Sequence, residues 1–350
     1  MIIIIILAKE ILPWYSGRWG FWNPNYRILT LKSIIPIFDI DNKLVIAREF
    51  MRLLRYRRDG EISLGVKSGN GVIELSNERT NIPRDMLKLI SDWPKYEGVI
   101  LEEMKDKPLT LPLSEVSLLS PIGNPGKFLA IGMNYQKHRA ESVDAGITPP
   151  RNQMWFSKQV SSINSPNGDI IKPDSTMMLD YEVELAFVIG EKCYKVSAEE
   201  ASRYIFGYMV CNDVSMRDWQ MHNMPDRIEL MIGKSHDSHG PIGPWIVTSD
   251  EVPEPHNLKI ECYVNREIRQ SSNTDDMIWN CYEQIEYLSS AMTLYPGDII
   301  DTGTPPGSGF SPRGASGNAD KGRKGNVFLQ SGDVVRCEIE SIGVFENTVV

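Results

Sequence analysis

The sequence predicts an α+β fold, with a mixed β-sheet that is rolled up or sandwiched and a small β-rich domain before it. Short apolar strands dominate from residue 127 onward, and only a few helical segments interrupt them. Strands and helices do not alternate regularly, as they would in a doubly wound parallel sheet. The predicted strands of this part are KFLAIGM, DYEVELAFVIG, FGYMVCNDVS, KIECYVN, DIIDTG and VVRCEIESIG.

Three segments of different composition predict the domain organisation. Residues 1–50 form an atypical N-terminal extension, in which an isoleucine run precedes six aromatic residues crowded into 14–26. The regular patterning starts at Met51, and we expect translation to begin there rather than at Met1. Residues 51–120 are predicted to be a small N-terminal domain, and residues 121–350 the main domain, after a junction at 108–126 that is rich in Pro and Gly.

Local signals predict individual turns and helix starts. Asn70-Gly71 predicts a tight hairpin turn, and Asn280 with Glu283 predicts a capped helix from about residue 281 to 294. The SAEE sequence that begins at Ser197 predicts a second capped helix. Four arginines of the small domain are interpreted as a solvated strand face: Arg52, Arg55, Arg57 and Arg58.

Composition excludes several classes of function. The formal net charge is −9, from 37 basic and 46 acidic residues, so a nucleic-acid partner is not expected. The five cysteines are odd in number and form no CxxC pair, which predicts reduced cytosolic thiols packed as small hydrophobes. The apolar run at 2–8 is too short for a membrane span and has no basic region before it. A soluble, cytoplasmic protein without a membrane partner is therefore expected.

Three carboxylates on neighbouring strands predict a metal site. In DYEVELAFVIG (180–190), strand alternation places Glu182 and Glu184 on one face, roughly 7 Å apart. Asp213 follows the apolar run of the next strand. Three oxygen donors without His or Cys suit Mg²⁺ or Mn²⁺ better than zinc. The alternative is that these acids lie on a solvated face of the sheet.

His138 and Glu141 form a second candidate pair. Their spacing of three places them on one face if NYQKHRAE is a helical turn. A carboxylate beside an imidazole fixes its tautomer and raises its basicity, which suits a base that activates water. A surface contact is the alternative. HDSH (236–239) is interpreted as structural rather than as a His/Asp metal site.

Five segments in order resemble the fumarylacetoacetate hydrolase family, over residues 127 to 350. They are LAIGMNYQKHRAE (129–141), DYEVELAFVIG (180–190), NDVSMRDWQ (212–220), IGKSHDSHGPIGPWIVTSDEVPEPHNL (232–258) and YPGDIIDTGTPPGSGF (295–310). The resemblance implies the β-roll of that family's catalytic domain and a homodimer. It also implies a Mg²⁺ or Mn²⁺ ion bound by Glu182, Glu184 and Asp213.

The same resemblance implies roles for seven further residues. His138, Glu141 and Lys234 match its catalytic residues, and Arg217 and Gln220 match residues expected to contact a substrate carboxylate. Lys158 and Thr304 are further substrate-binding candidates for the same pocket. Two positions depart from the pattern, because the family carries Phe at the position of His236 and no His at that of His239. GTPPGSG (303–309) is interpreted as a turn that lines the site.

The function expected first is hydrolysis of a C–C bond in a small 2,4-dioxo acid such as an acylpyruvate, through an enolate stabilised by the cation. A lyase, decarboxylase, dehydratase or isomerase acting on a 2-oxo (sugar) acid is the alternative. The segment 241–258 resembles the sugar-acid and ureidoglycolate-type members of the family. A non-catalytic metal-binding protein is a further alternative. A nicotinamide oxidoreductase is set aside, because no GxGxxG follows a strand.

Overall fold

The computed structural model describes residues 36–38, 44–46, 51–75, 80–106, 111–144, 146–222, 228–310 and 328–350. The chain divides into two compact units, Met1–Glu49 and Phe50–Val350. In the first unit, β1 (Pro36–Phe38) pairs antiparallel with β2 (Leu44–Ile46). The aromatic cluster at 14–26 lies outside the described residues. The expected start at Met51 and the domain limits at 50 and 120 stay predictions.

The second unit is built mainly of strands. In chain order they are β3 (Arg52–Arg58), β4 (Glu61–Ser68), β5 (Gly71–Glu74), β6 (Leu111–Pro112), β7 (Ser117–Leu119), β8 (Phe128–Gly132), β9 (Met154–Ser157), β10 (Ile163–Asn164), β11 (Leu179–Asp180), β12 (Val183–Ile189), β13 (Ile205–Asn212), β14 (Ser215–Met216), β15 (Gly240–Thr248), β16 (Lys259–Val264), β17 (Glu267–Asn273), β18 (Ile299–Asp301), β19 (Val334–Ile339) and β20 (Gly343–Thr348). Six α-helices accompany them among the described residues. These are α1 (Met86–Ser91), α2 (Trp93–Asp106), α3 (Gln136–Asp144), α4 (Arg217–Gln220), α5 (Leu230–Gly233) and α6 (Cys281–Ala291).

A mixed twelve-stranded sheet organises this unit, in the order β6-β5-β4-β3-β15-β13-β12-β18-β8-β9, with β7 paired to β3 and β10 to β15. The β18–β8 and β10–β15 pairs are parallel, and the other pairs in this sheet are antiparallel. A second, four-stranded sheet has the order β17-β16-β19-β20, and β11 pairs with β14. The predicted α+β class with a mixed sheet is confirmed. No described helix has both the length and the apolar character to cross a membrane.

Strand β12 is buried on both faces, because a separate apolar core covers each of them. Alternate side chains from Val183 to Ile189 join the core that includes the four-stranded sheet. Ala186 and Val188 enter the other core, which includes α1 and α2. Burying one such aliphatic side chain contributes about 1.5–3 kcal/mol. The alternative in which Glu182 and Glu184 lie on a solvated face is therefore wrong.

The local predictions had mixed outcomes. The Asn70-Gly71 hairpin is confirmed by the pairing of Ser68 with Gly71. The capped helix at residue 281 is confirmed as well, because Asn280 and Glu283 form the reciprocal capping box of α6. The helix predicted at Ser197 is wrong. A short 3₁₀ turn (Ala201–Tyr204) replaces it, since Glu286 of α6 accepts the Ala198 N–H at 3.2 Å. All five cysteines are free and buried, as predicted.

Candidate metal centre and active site

The three predicted metal ligands converge at one end of the β12–β13 pair. Glu182 immediately precedes β12, and Glu184 is its second residue. Asp213 directly follows β13, and its N–H donates to the Glu182 carbonyl at 2.8 Å. One ligand oxygen from each residue lies within 4.8 Å of the others, and all three side chains are buried. Oxygen ligands 2.0–2.6 Å from a shared ion would have separations of this order.

Lys234 lies within this group of acids. Its ammonium donates hydrogen bonds to Glu182 and Asp213. Burial alone would lower the pKa of Lys234, but Asp213 and Glu182 hold it above its usual value. Burial alone would raise the pKa of Glu182, but the Arg217 and Lys234 cations hold it below its usual value. Lys234 and Glu182 are therefore both charged at neutral pH.

Negative charge exceeds positive charge around the centre. Besides Glu141, which is buried next to His138, the buried acids are Asp180, Glu182, Glu184, Asp213 and Asp301, and the buried bases are Lys158, Arg217 and Lys234. Among the described residues, neither Glu184 nor Asp301 has an ion-pair partner. Glu184 accepts the Gly303 N–H at 2.7 Å, and Asp301 accepts the Cys211 thiol at 3.0 Å. Burial raises the pKa of Glu184 well above its usual range, with Asp301 and Asp213 adding to the effect.

The excess of negative charge shows whether a bound cation would suit the site. Apart from Glu141, which lies beside His138, five carboxylates against three cations leave two negative charges, which one divalent ion would neutralise. Burial and the neighbouring Asp213 raise the pKa of Asp301 to about 7. Without a cation, the acids that lack a basic partner would thus take up protons. Three clustered oxygen donors are also the ligand type that Mg²⁺ and Mn²⁺ prefer. The residues present therefore fit a divalent metal ion.

Arg217, predicted to hold a substrate carboxylate, is bound by neighbours from the protein. Its Nε donates to Asp180 at 2.8 Å, one terminal nitrogen donates to Gln220 at 3.0 Å, and the other donates to Glu182. Three of the five N–H donors of the guanidinium are thus engaged. The structure shows Arg217 as part of the support for Glu182, with at most two N–H groups left for a substrate.

Gln220 keeps a free donor at the same place. Its carbonyl oxygen accepts from Arg217, whereas its buried amide nitrogen has no hydrogen-bond partner among the described residues. Gln220 lines the pocket beside the metal centre. A buried donor without a partner costs about 1–3 kcal/mol, so an acceptor on a ligand would relieve this cost. The placement fits the predicted substrate contact.

Lys158 lies behind the centre and does not line the pocket. Its ammonium donates to Asp213 Oδ1 at 2.6 Å, to the His239 carbonyl at 3.1 Å and to the Lys234 carbonyl. These three acceptors use all three N–H groups of the side chain. The geometry does not support the predicted contact with substrate, and instead gives Lys158 the role of positioning Asp213.

His138 and Glu141 are both on α3, as the spacing predicted. The His138 Nδ1 atom is 3.4 Å from Glu141 Oε2, which also accepts the Gly307 N–H at 3.3 Å. His138 lines the same pocket as Glu182, Glu184 and Lys234. With Nδ1 turned to the carboxylate, Nε2 is the atom left to exchange a proton.

The pocket that joins these groups is small. Its cavity is about 80 Å³, which suits a molecule of a few non-hydrogen atoms rather than a drug-sized ligand. Thr304 lines it, although its hydroxyl already bonds the Val183 carbonyl at 3.0 Å and Gln270 at 2.8 Å. The apolar part of the wall is formed by Ile131, Met133, Ile147, Met154, Met221, Ile228, Leu230 and Phe310.

Residues 127–350 match the family model described as fumarylacetoacetate (FAA) hydrolase, C-terminal. The chain belongs to the fumarylacetoacetate hydrolase family. Among curated relatives, "Oxaloacetate tautomerase FAHD2A, mitochondrial" of Bos taurus is 41% identical over 289 residues, which cover 82% of this chain and 87% of the relative. Its counterpart in Homo sapiens is 39% identical over 304 residues, covering 86% and 92%.

Solved structures of enzymes share this architecture. Maleylpyruvate hydrolase from Sphingobium sp. SYK-6, in complex with manganese(II) and pyruvate, aligns with a TM-score of 0.69 at 30% identity, covering 86% of this chain and 99% of that one. The 5-carboxymethyl-2-hydroxymuconate delta-isomerase from Mycobacterium smegmatis aligns with a TM-score of 0.63 at 30% identity and the same coverage. Members similar to this chain thus include a tautomerase, a hydrolase and an isomerase, and the chain is an enzyme.

Sequence reasoning missed two carboxylates of this site. Asp180 heads the DYEVEL segment, and it accepts from Arg217 and from the Gly309 and Phe310 N–H groups. Asp301 lies on β18 beside Cys211. The first could have been found as a third acid in the same motif. The second could not be placed from its neighbours in the chain, because it reaches the centre through the pairing of β18 with β12.

Proposed function

We propose that this member of the family is a divalent-metal-dependent tautomerase of a small 2-oxo acid of the oxaloacetate type. The observation that carries the proposal is the single pocket lined by His138, Lys234, Glu182 and Glu184. Oxaloacetate tautomerases of 38–41% identity support the choice of reaction. The small cavity agrees with a substrate of this size.

The residues of the pocket supply what a proton shift between enol and keto forms requires. The His138 imidazole takes the proton from carbon 3 of the keto acid, or returns it to the enol. Glu141 keeps the imidazole oriented through Nδ1. Lys234 and the free N–H groups of Gln220 face the negative charge that develops on oxygen. The net change moves one proton between carbon and oxygen and breaks no C–C bond.

Glu182, Glu184 and Asp213 would hold the divalent cation, Mg²⁺ or Mn²⁺. When bound, such an ion supplies a Lewis acid that stabilises negative charge on the oxygens of a 2-oxo carboxylate. Lys158 and Arg217 keep two of these carboxylates in place. The buried setting strengthens each of these interactions relative to water.

Hydrolysis of an acylpyruvate is the second candidate. It is supported by the His138–Glu141 pair, which has the geometry of a base that activates water, and by the similarity to maleylpyruvate hydrolase. The two reactions differ in outcome, because hydrolysis consumes water and releases two acids. Tautomerisation returns the same carbon skeleton.

The deciding experiment follows the ultraviolet absorbance of enol-oxaloacetate as it converts to the keto form. We expect Mg²⁺- or Mn²⁺-loaded protein to accelerate the conversion and EDTA to abolish the acceleration. His138→Asn should lower turnover by roughly 10²–10⁴-fold, which is the usual contribution of a positioned acid or base. Manganese binding, measured by calorimetry, should stay unchanged in this variant.

A matched control is His236→Asn, because His236 does not line the pocket. This variant should keep wild-type turnover. If the enol decays at its uncatalysed rate in the presence of metal-loaded protein, the tautomerase proposal is wrong. If the same preparation cleaved acylpyruvates, the hydrolase would take its place.

We also propose that the enzyme is a homodimer with the interface beside the active site. Four large apolar side chains are exposed there, on and around α4 and α5, namely Met177, Trp219, Met231 and Ile232. The two helices contact each other, and Asp218 accepts the Met177 N–H at 2.9 Å, so the side chains belong to one region. Sedimentation of Ile232→Asp against wild type tests this: we expect monomer for the variant and dimer for the wild type. The cytoplasmic location remains a prediction.

A further inference from the structure

A second cavity lies in the part of the chain formed by β3, β4 and α1. Its volume is about 430 Å³, which is within the range of small-molecule sites, and it shares no lining residue with the active-site pocket. Its apolar lining consists of Ile62, Met86, Leu87, Pro121 and Ile122. The remaining lining residues are Arg55, Arg84, Asp85, Gly123 and Asn124.

Arg55 is the polar feature of this cavity. Its Nη1 donates to the Ser120 carbonyl at 3.3 Å, and no carboxylate among the described residues forms an ion pair with it. Among the described residues, no hydrogen-bond acceptor is bound to its Nε or Nη2. These two groups form the edge of a guanidinium that binds a carboxylate through two parallel hydrogen bonds. Burial lowers the pKa of Arg55, and the nearby Asp85 offsets part of this effect without forming an ion pair with it.

The other charges at the cavity are already engaged. Arg84 pairs with Glu61 at 2.9 Å, and Asp85 caps α1 by accepting the Leu87 N–H at 3.0 Å. Gly123 allows the close approach of Arg55, because a Cβ at that position would lie 2.9 Å from Nη1. Arg55 was interpreted from the sequence as part of a solvated face. The structure shows that Arg57 and Arg58 are exposed, whereas Arg55 is half-buried at the cavity wall.

We propose that this cavity is a second binding site, specific for a small monocarboxylate with a short aliphatic body. The unengaged edge of Arg55 would hold the carboxylate, and the apolar lining would cover the aliphatic part. A phosphate is a poorer match, because one guanidinium edge leaves most of its oxygens facing apolar side chains. The site is independent of the reaction at the metal centre.

Butyrate is the probe, with butyramide and inorganic phosphate as comparisons at matched ionic strength. Saturation-transfer NMR on the full chain in EDTA should show butyrate binding and no competition from butyramide. Arg55→Gln should weaken butyrate binding at least tenfold, because a charge-assisted hydrogen-bonded pair is lost. Arg57→Gln, on the same strand but exposed, should leave it unchanged.

Arg55→Lys provides a second test if Arg55→Gln does not fold. Lysine keeps the positive charge but lacks the two parallel N–H donors of the guanidinium, so butyrate binding should again weaken. Equal binding of butyrate to wild type and either Arg55 variant would overturn the proposal. Equal binding of butyramide and butyrate would also overturn it. Tighter, Arg55-dependent binding of phosphate would replace the carboxylate with a phosphate ligand and overturn the assignment.

Discussion

Lys158 and Asp213 form a fully buried ion pair, with 2.6 Å between Nζ and Oδ1. The pair holds one of the three candidate metal ligands in place. It also compensates part of the negative charge of the centre. This relationship predicts that loss of Lys158 affects metal binding although the residue does not line the pocket.

Lys158→Met should lower the free energy of unfolding by roughly 3–5 kcal/mol, since it leaves a buried charge without its partner. It should also weaken manganese binding, because Asp213 would lose its orientation. Urea unfolding and calorimetry measure the two effects. Lys127→Met is the matched control: it removes the partner of the buried Asp298, 2.7 Å away, and should reduce stability without changing metal affinity. Equal metal affinity in both variants would contradict the positioning role.

Glu184→Gln should separate metal binding from folding. Burial raises the pKa of Glu184 well above its usual range, which favours the neutral carboxyl in the metal-free protein, and Gln resembles this neutral form. Stability in EDTA should therefore change little, whereas manganese affinity should fall by more than the roughly 10–100-fold of losing an outer-shell partner. Glu261→Gln, in the four-stranded sheet, is the control and should keep the affinity. A Glu184→Gln protein that binds manganese normally would exclude the three-carboxylate site.

Glu141→Gln should lower turnover by roughly 10²–10⁴-fold, because the amide no longer holds the required tautomer of His138. The two residues act as one unit. The double variant with His138→Ala should therefore be no slower than His138→Ala alone. Steady-state kinetics with saturating Mn²⁺ measures this. Multiplicative losses would show that Glu141 acts independently, for example by holding Gly307.

His239 predicts a pH dependence of stability. Burial lowers the pKa of His239 to about 3, whereas an unfolded histidine has a pKa of about 6.5. The unfolded state thus binds the proton first. The contribution of neutral, buried His239 to the free energy of unfolding is fully present above pH 6.5. It is lost as the pH falls from 6.5 towards 3, by up to about 1.4 kcal/mol per pH unit.

His239→Gln keeps an N–H donor for the Ile171 carbonyl, which accepts from Nε2 at 2.8 Å, but does not titrate. Urea unfolding of both proteins at pH 7, 6 and 5 in EDTA should show a shallower loss of stability for the variant. If the free energy of unfolding falls equally with pH in both proteins, His239 is not the group that causes the pH dependence. All other titrating groups are common to both proteins, so the difference in slope belongs to this residue.

The sequence predicted the fold class, the hairpin at Asn70-Gly71 and the cap at Asn280, because each depends on residues close in the chain. It also placed Glu182, Glu184 and Asp213 together, since strand spacing and a neighbouring strand sufficed. It did not predict that Lys158 would be enclosed by three acceptors. Two of these, the His239 and Lys234 carbonyls, come from 76–81 positions further along. Such contacts follow from tertiary packing, which periodicity does not encode.

The two cores around β12 have a consequence for folding. Side chains alternate along a strand, so a slip of one residue in the pairing of β12 with β13 would exchange the two buried faces of β12. Glu184 would then enter the apolar layer, where an unpaired carboxylate is strongly unfavourable. The acids of the candidate site therefore penalise mispaired arrangements of the sheet. Their replacement by apolar residues would remove this discrimination and permit alternative registers, even where it increased the buried apolar surface.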